Sequence, residues 1–530
     1  MGQGMQKRHV KFLILLVCFF SLGSFNFLFA SPKDYKFEQW CNSIENDELI
    51  IKFKTDGESL QSEADYNLAP NYVRQKIKNQ KSKDLGNLKK HLGDVELEDM
   101  FDLDDETDSF ITTDSKALMR KNKLRKSRAK YNLDRIYSIK PKSKNYFQNF
   151  IPKEQRKIFA CQEVYKNIKK LEQDPRVDYV LPNRKLKIQA EITDDYFINS
   201  APGWPFSYET QWGLKAINAE KAWSKTLGEK ALVAVIDSGV NYNHPDLWNN
   251  IWVNPKLVKD TNRDGKKNLD DLDINNNKKI DANEFKANAF GFNTSTKSAI
   301  DPMDYVGHGT HVAGIIGADA DGQGMVGVAP KARIMIIRVN SNTGAITEKA
   351  VARAILLAAK QGADVANLSM GTSYHLPLVY DAIQAVKDQM LIVAAAGNYS
   401  QEITPYYYDD QKSFFPAAYD EVISVAAITP TDQKAFFSNY GSAVDIAAPG
   451  GADSRIEKNI LSTDLTYEGY NRRVGTSMAA PYVTGVAALI ASSKPSFSPA
   501  KIKNQILSNA TSINSGYNIG AGLVNAESVI

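Results

Sequence analysis

The chain has 530 residues, 43% hydrophobic and 24% charged, which suits a folded protein with one large domain and an accessory one. Its formal net charge of +4 is small for this length and argues against a nucleic-acid partner. The three cysteines, Cys18, Cys41 and Cys161, all lie in the first third. The remainder therefore has no disulfide framework, thiolate metal site or cysteine nucleophile, and covalent catalysis there would have to use oxygen or nitrogen.

The N-terminus has the pattern of an export signal. Basic residues such as Lys7 precede an apolar run from Phe12 to Ala30, which predicts a signal peptide over residues 1–30. Polar residues interrupt the run and weaken it as a membrane span. A retained anchor and lipid attachment at Cys18 are the alternatives. We expect a secreted protein, extracellular or periplasmic, that meets a membrane only through this signal.

Residues 31–200 are rich in lysine and carry a long charged insertion, roughly residues 55–150. Blocks of like charge are usually solvated surface. Around the insertion, Glu48–Lys54 is a predicted strand, Val164–Leu171 a predicted helix and Val177–Val180 a second strand. This pattern predicts a small α+β domain.

Residues 201–530 alternate between apolar runs and helical segments such as Thr347–Gln361. The runs suit strands that are buried on both faces: Leu232–Ile236, Ile334–Val339, Val365–Met370, Leu391–Ala396 and Val422–Ile428. Their alternation with helices predicts an α/β fold, a mostly parallel sheet with helices on both faces. In such a sheet, catalytic residues lie beyond the C-terminal ends of the strands.

Two candidate catalytic residues lie at the ends of predicted elements. Asp237 follows the strand Leu232–Ile236 and precedes a glycine turn, so its carboxylate suits holding another side chain or capping the turn. His308 lies in a glycine-rich entry to an apolar helix, where the helix dipole keeps the imidazole neutral and able to accept a proton. His311 is an alternative base or a packed structural histidine. The zinc-protease spacing of four residues with an intervening Glu is absent.

Ser477 and Asn398 complete the candidate set. Ser477 precedes the apolar helix Tyr482–Ala491, with Pro481 expected in or near the first turn, where its missing N–H has no cost. Unpaired N–H groups there could stabilise an oxyanion, although an ordinary N-cap is the simpler interpretation. Asn398 ends the run Leu391–Gly397, as an oxyanion donor or a turn residue. Together the four residues supply nucleophile, base, orienting group and oxyanion donor.

Three segments resemble the signature motifs of the subtilisin-like serine proteases, or subtilases: Ile236–Gly239, His308–Gly314 and Gly475–Pro481. They occur in the family's order of Asp, His and Ser. The similarity covers about residues 208–530 and includes His244–Leu247, Gly327–Pro330, Asn367–Gly371 and Ala447–Pro449. Three long motifs in one order make chance agreement negligible.

The resemblance implies a triad of Asp237, His308 and Ser477, with Asn398 as the oxyanion donor and no cofactor for catalysis. It also implies that a substrate binds as an added strand against two segments of the chain. The implied substrate-binding residues are Ser369, Met370, Gly371, Ala395, Ala396 and Gly397.

In the N-terminal third, Lys170–Asn183 resembles the end of the family's inhibitory propeptide. The resemblance implies that residues 31–200 act as an intramolecular inhibitor and chaperone and are then cut off. We expect the cut between Gln189 and Glu209. The long charged insertion departs from the family pattern.

Residues 260–284 fit the spacing of two consecutive calcium loops. The predicted ligands are Asp260, Asn262, Asp264, Lys266 and Asp271 in the first loop, and Asp273, Asn275, Asn277, Lys279 and Glu284 in the second. Lys278 replaces the turn glycine in the second loop and makes it the less secure of the two. An acidic, asparagine-rich surface loop is the alternative. Because the insertion separates Asp237 from His308, we expect calcium to stabilise the fold rather than to take part in the chemistry.

These features predict a monomeric serine endopeptidase with polypeptide substrates. A non-catalytic binding module on the same fold would have lost a catalytic group, and none is lost here. An acyl transferase or peptide ligase with the same residues is a further alternative. The segment Tyr399–Phe415 is expected to wall the side-chain pocket. Its aromatic residues would narrow that pocket, or Asp409 and Asp410 would favour basic residues.

Overall fold

The computed structural model describes residues 40–54, 84–86, 88, 92, 95–99, 133–141, 153–189, 210–295, 300–406, 412–452, 458–465 and 469–530. The predicted signal peptide, most of the charged insertion and residues 190–209, which hold the predicted domain boundary, lie outside these residues. None of the helices in the described part combines the length and the apolar character that a membrane crossing needs.

The N-terminal part is an antiparallel sheet with one long helix packed on it. It consists of β1 (Ile44–Phe53), β2 (Val95–Asp99), a 3-10 turn (Leu133–Arg135), β3 (Ile136–Pro141), α1 (Lys153–Leu171) and β4 (Val177–Ile188). The strand order is β2-β3-β1-β4. Apolar side chains from β1, such as Phe53, and from α1, such as Val164, form its core. The strands and the helix of the described residues agree with the predicted α+β fold of this part.

A disulfide that was not anticipated joins Cys41 to Cys161 in this domain, across a sequence separation of 120 residues. It links the residues just before β1 to the middle of α1. The bond therefore fastens the helix to the sheet on which it packs.

The second part follows from residue 210 onwards. Its elements are α2 (Trp212–Ala216), α3 (Ala219–Trp223), β5 (Leu232–Asp237), α4 (Pro245–Trp248), a 3-10 turn (Leu269–Asp271), β6 (Gly291–Asn293), α5 (His308–Gly317), β7 (Arg333–Arg338), β8 (Ile346–Thr347), α6 (Glu348–Lys360), β9 (Val365–Leu368), β10 (Met370–Gly371), α7 (Pro377–Val386), β11 (Leu391–Ala395), β12 (Val422–Ile428), β13 (Ile446–Pro449), β14 (Ile460–Thr463), β15 (Tyr470–Arg473), α8 (Thr476–Ser493), α9 (Pro499–Ser508) and α10 (Ala526–Val529).

The centre of this part is a seven-stranded parallel sheet in the order β13-β12-β11-β9-β5-β7-β6. Helices α5 and α8 pack on each other and on the sheet, and α6 packs on α7. The inner strands are buried along nearly their whole length, because helices and loops cover them. The predicted α/β fold with a mostly parallel sheet is confirmed.

The strand β4 belongs to both parts of the molecule. It pairs with β1 in the N-terminal sheet and, antiparallel, with β10 and β8 of the second part. In the second contact, Ile188 lies opposite Met370 and Lys187 opposite Gly371. The N-terminal sheet is therefore continuous with the segment predicted to bind substrate.

Helix α8 begins earlier than the sequence predicted, so the expectation that Pro481 lies in or near its first turn, where its missing N–H has no cost, is wrong. The helix starts at Thr476 and Pro481 lies inside it. Because proline has no N–H, the carbonyl oxygen of Ser477, four residues earlier, lacks its helical donor. The Ser369 Oγ atom donates to that oxygen over 2.9 Å instead. A tertiary hydrogen bond thus permits the proline in the helix.

Candidate active site

An aspartate and a histidine meet at the C-terminal edge of the parallel sheet. Asp237 is the last residue of β5 and His308 the first of α5. Asp237 Oδ1 lies 2.6 Å from His308 Nδ1 and accepts a hydrogen bond from the Ser238 backbone N–H over 2.7 Å. Both the Asp237 and His308 side chains are buried. The carboxylate favours the tautomer with hydrogen on Nδ1, which leaves Nε2 as the proton acceptor.

Behind this pair, the buried Asp304 fastens the entry to α5. Its carboxylate accepts hydrogen bonds from Ser238 Oγ (2.9 Å), Val306 N (2.8 Å), Gly307 N (3.0 Å), Thr310 N (3.0 Å) and Thr310 Oγ1 (2.7 Å). These donors include N–H groups that a helix start leaves unpaired. Sequence reasoning missed Asp304. The available signal was an acidic residue just before a helix N-terminus.

His311 lies on a different side of α5. Its Nε2 atom is 3.1 Å from the Ile460 carbonyl oxygen and 3.2 Å from that of Asn471. Burial, followed by the nearby charge of Arg473, holds the pKa of His311 well below its usual 6.5. The contacts of His311 are thus with β14 and β15, whereas His308 contacts Asp237.

Ser477 is the second residue of α8 and is linked reciprocally to Ser369. Ser477 Oγ donates to the Ser369 carbonyl oxygen and Ser369 Oγ donates to the Ser477 carbonyl oxygen, both over 2.9 Å. His308 Nε2 is buried and, among the residues that the structure describes, has no hydrogen-bond partner. In this arrangement, the Ser477 hydroxyl is hydrogen-bonded to Ser369, in a segment predicted to bind substrate, rather than to the histidine.

A relay of buried side chains fixes Ser369. Asn367 Nδ2 donates to Ser369 Oγ over 2.9 Å, and Thr484 Oγ1 donates to Asn367 Oδ1 over 2.9 Å. Thr484 lies two turns along α8 from Ser477. The same helix therefore carries the candidate nucleophile and orients its neighbour.

Asn398 is held by the first residue of α8. Its Oδ1 atom accepts hydrogen bonds from Thr476 N (2.9 Å) and Thr476 Oγ1 (2.8 Å). This fixes which end of the amide faces the helix and leaves the Nδ2 donor on the other side. The Gly397 N–H donates to Thr476 Oγ1 over 3.1 Å, so Thr476 connects the two segments. Sequence reasoning missed this role of Thr476.

The end of β4 lies against Ser477. The Gln189 N–H donates to the Ser369 carbonyl oxygen over 3.2 Å, and the Ser477 N–H donates to the Gln189 carbonyl oxygen over 3.1 Å. The chain thus presents one of its own peptide carbonyls to the backbone N–H of the candidate nucleophile. An N–H in this position stabilises negative charge that develops on a carbonyl oxygen under attack.

A family model described as the subtilase family matches residues 228–522, more than half of the chain. The chain belongs to the subtilase family. The resemblance inferred from the three motifs is confirmed. Subtilases are serine endopeptidases and need no cofactor for catalysis.

Three relatives of this subtilase are 34–36% identical to it over 293 to 330 residues. The thermophilic serine proteinase of Bacillus sp. strain AK1 is 35% identical over 330 residues, which are 61% of this chain and 66% of that protein. Thermitase of Thermoactinomyces vulgaris is 36% identical over 293 residues, 55% of this chain and 85% of that protein. Halolysin of Haloferax mediterranei is 34% identical, and the match spans 53% of its length.

A solved structure shares the fold of both the N-terminal part and the second part. Fervidolysin of Fervidobacterium pennivorans, described as a keratinolytic enzyme related to subtilisin, matches with a TM-score of 0.57 and 22% identity. The match covers 92% of this chain and 61% of that structure. The likeness in fold therefore includes the N-terminal part of this subtilase.

The two predicted substrate-binding segments of the subtilase make different contacts. Met370 and Gly371 pair with β4, as described above. Ala395 pairs with β12, and the Ala396 N–H donates to the Val425 carbonyl oxygen over 3.0 Å. The backbone of the second segment is thus hydrogen-bonded within the second part of the molecule, and only the first segment is paired with β4 among the described residues.

Two buried contacts hold the N-terminal sheet on α6 and α7. Lys349 Nζ lies 2.6 Å from Glu48 Oε1, 2.9 Å from Glu98 Oε2 and 3.2 Å from Ser138 Oγ. On α7, Asp381 Oδ2 lies 2.8 Å from both Lys52 Nζ and the Tyr179 hydroxyl oxygen, and burial raises the pKa of Asp381. Charges from both parts are therefore neutralised across the contact.

The two predicted calcium loops have the same internal hydrogen bonds. In the first, Asp260 accepts from Gly265 N, Asn262 from Asp264 N, and Asp264 from Lys266 N. In the second, Asp273 accepts from Lys278 N, Asn275 from Asn277 N, and Asn277 from Lys279 N. Lys278 adopts the left-handed φ of 59° where Gly265 has 80°. The second loop thus takes the turn of the first without its glycine.

The last predicted ligand of each loop is bound to the backbone. Asp271 accepts from Thr261 N, Asn262 N and Asn268 N, and Glu284 accepts from Ile274 N, Asn275 N and Asp281 N. Within the described ranges, no three or more His, Cys, Asp or Glu side chains are grouped so that they could hold a metal ion. Asp260 Oδ1 is buried and has no hydrogen-bond partner there.

The predicted pocket wall is described only in part. Residues 407–411, which include Asp409 and Asp410, lie outside the described residues. The Tyr406 ring stacks on that of His375, with centroids 4.4 Å apart and planes 14° apart. Phe414 and Phe415 are buried.

Proposed function

We propose that this subtilase is a secreted serine endopeptidase that cleaves peptide bonds through an acyl-enzyme on Ser477. The observation that carries the proposal is the hydrogen bond from the Ser477 N–H to the Gln189 carbonyl oxygen, directly after the strand β4, which pairs with Met370 and Gly371. This is how an extended peptide would present its scissile carbonyl.

In the proposed reaction, Ser477 Oγ leaves the Ser369 carbonyl oxygen by rotation about its Cα–Cβ bond and turns to His308 Nε2. His308 accepts the hydroxyl proton as Oγ attacks the carbonyl carbon, and Asp237 stabilises the resulting imidazolium. The Ser477 N–H and the Asn398 amide donate to the oxyanion. His308 then protonates the leaving amine, and water hydrolyses the acyl-enzyme by the reverse proton transfers.

The test is an active-site serine probe applied to the full chain, with Ser477→Ala and the remote Ser515→Ala as matched variants. Labelling of the parent chain and of Ser515→Ala, and none of Ser477→Ala, is expected. Equal labelling of all three would refute the role of Ser477. Product analysis on a peptide in the presence of a second amine separates hydrolysis from acyl transfer or ligation.

For the N-terminal domain, we propose an inhibitor that occupies the cleft and is cut after Gln189, within the range expected from the sequence. Support comes from the position of the Gln189 carbonyl and from the buried contacts of Lys349 and Asp381. Mass spectrometry of the purified protein should find a new N-terminus at Ala190, and Ser477→Ala should remain uncut. A new N-terminus elsewhere, or cutting of Ser477→Ala by itself, would contradict this.

For residues 260–284, we propose two structural calcium sites with the ligands predicted above. The matched hydrogen bonds of the two loops and the unpartnered Asp260 Oδ1 support it. Calorimetric titration of the Ser477→Ala chain with calcium should give two sites, of which Asp260→Ala and Asp273→Ala each remove one. The exposed Asp388→Ala is the control. Unchanged stoichiometry in both loop variants would refute the sites.

We also propose that residues 1–30 direct export and are removed. N-terminal sequencing of protein from culture medium and from the cell fraction tests this. Recovery of the chain only inside the cell, with Met1 retained, would count against it.

A further inference from the structure

A phenylalanine ring fills the space between the two substrate-binding segments. Phe414 is 3% exposed. A Cβ atom added to Gly371 would collide with its ring, and one added to Gly397 would lie 3.1 Å from it. Gly371 and Gly397 belong to the two predicted substrate-binding segments, so the ring occupies the gap that separates them.

The backbone holds this ring in place. Phe415 N donates to the Thr372 carbonyl oxygen over 2.8 Å, and Thr372 N donates to the Phe415 carbonyl oxygen over 3.0 Å. Thr372 directly follows Gly371, so the residue after Phe414 is tied to the residue after β10. The Tyr399 ring also packs on Phe414, with centroids 5.8 Å apart. The Phe414 ring therefore has contacts on several sides, which hold it between the two segments.

Gln189, the residue before the proposed cut, has its side chain hydrogen-bonded to its own backbone segment. Gln189 is 3% exposed, yet its side-chain Nε2 donates to the Lys187 carbonyl oxygen of the same strand over 3.0 Å. A long side chain that met an open pocket would gain contacts by extending into it. The Gln189 side chain instead folds back along its own backbone.

We infer that Phe414 closes the primary side-chain pocket and restricts the enzyme to substrates with a small residue immediately before the cut. This inference rests on the proposed function and names its substrate class. Glycine, alanine and serine fit without entering the pocket, and glutamine fits by folding back. Aromatic, leucine, lysine and arginine side chains would have to displace a ring that is already packed.

The experiment measures kcat/KM on chromogenic peptides Ala-Ala-Pro-X, with X as alanine, serine, glutamine, leucine, phenylalanine or lysine. The parent enzyme should prefer alanine over phenylalanine by about 100-fold. Phe414→Ala should reverse the preference, and Phe414→Leu should lie between. The exposed Phe436→Ala is the control and should keep the parent profile.

Two results would overturn the inference: a parent enzyme that prefers phenylalanine or lysine, or a Phe414→Ala enzyme that labels with the serine probe and keeps the preference for alanine. If Phe414→Ala does not fold, the inference is tested by the preference of the parent enzyme among the peptides and by the rate at which the full chain cleaves itself. There, Gln189→Ala should cut at least as fast as the parent and Gln189→Phe about 100-fold more slowly. A chain that neither labels nor cleaves any peptide refutes the proposed function instead.

Discussion

Replacing Lys349 with methionine should loosen the contact between the N-terminal sheet and α6. The substitution keeps the aliphatic stem but removes the cation that lies 2.6 Å from Glu48 and 2.9 Å from Glu98. Removing one partner of a buried ion pair costs about 3–5 kcal/mol, because the other charge stays buried and unpaired. Here Glu48 keeps Asn183 Nδ2 at 2.7 Å and Glu98 keeps Arg353 at 3.0 Å. We therefore expect Lys349→Met to lower the free energy needed to open this contact by about 2–4 kcal/mol. The equilibrium constant for opening would rise roughly 30- to 700-fold.

Hydrogen exchange of the full-length Ser477→Ala chain measures this opening without cleavage. Peptides that contain Lys187–Gln189 should exchange faster by that factor in Lys349→Met, whereas peptides from β11 should not change. Lys221→Met is the matched control, because its ion pair with Glu527 is exposed and contributes little.

Since the cost arises from the carboxylate left behind, adding Glu48→Gln to Lys349→Met should restore part of the protection. If Lys349→Met changes exchange at β4 by less than threefold, or if the double variant is worse than the single one, the electrostatic account of this contact is refuted.

Three further predictions concern stability and the positioning of the candidate catalytic residues. Burial raises the pKa of Glu348 from 4.5 to about 7. Between these two values the folded state holds a proton that the unfolded state releases. The contribution of Glu348 to the free energy of unfolding is therefore fully present below pH 4.5, and roughly 3 kcal/mol of it is lost as the pH rises through 7. Glu348→Gln should flatten this decline in urea unfolding between pH 4.5 and 8, and an unchanged slope would contradict it. Joint Cys41→Ser and Cys161→Ser substitution opens a link across 120 residues and should destabilise the N-terminal domain by up to about 5 kcal/mol; an unshifted calorimetric transition would exclude this. Thr484→Val leaves Asn367 without its donor and should lower kcat about tenfold with KM unchanged, whereas Thr484→Ser keeps the parent rate; equal kinetics for the two variants would refute the positioning role.

The sequence predicted the parallel sheet well, because strands buried on both faces are continuous apolar runs. Val422–Ile428 matches β12 at both ends, and Thr347 and Gln361 flank α6 at its two caps. In such elements the sequence pattern begins and ends where the strand or helix does, so the sequence alone predicts the bounds. They also placed Asp237 and His308 at the ends of elements that meet at one edge.

Contacts between distant segments escaped prediction. The start of α8 depends on Ser369, which supplies the donor that Pro481 lacks. Likewise, Gln189 acquires its position only when β4 pairs with β10, nearly two hundred residues further along. The sequence around each group shows no pattern that predicts its partner, because the two groups of each contact lie far apart in the chain.

Because β4 pairs with strands of both parts of the molecule, it would delay the onset of activity after the proposed cut. A cut after Gln189 breaks one covalent bond but leaves every hydrogen bond of β4 to β10 and β8 in place. The severed domain would remain as a tight product, so the appearance of activity would lag behind cleavage. The length of that lag would depend on how fast the N-terminal sheet unfolds or departs. If each freed molecule then digests the domains that still block others, as the proposed inhibition implies, activity should rise slowly at first and then abruptly with time, and the lag should shorten at higher protein concentration.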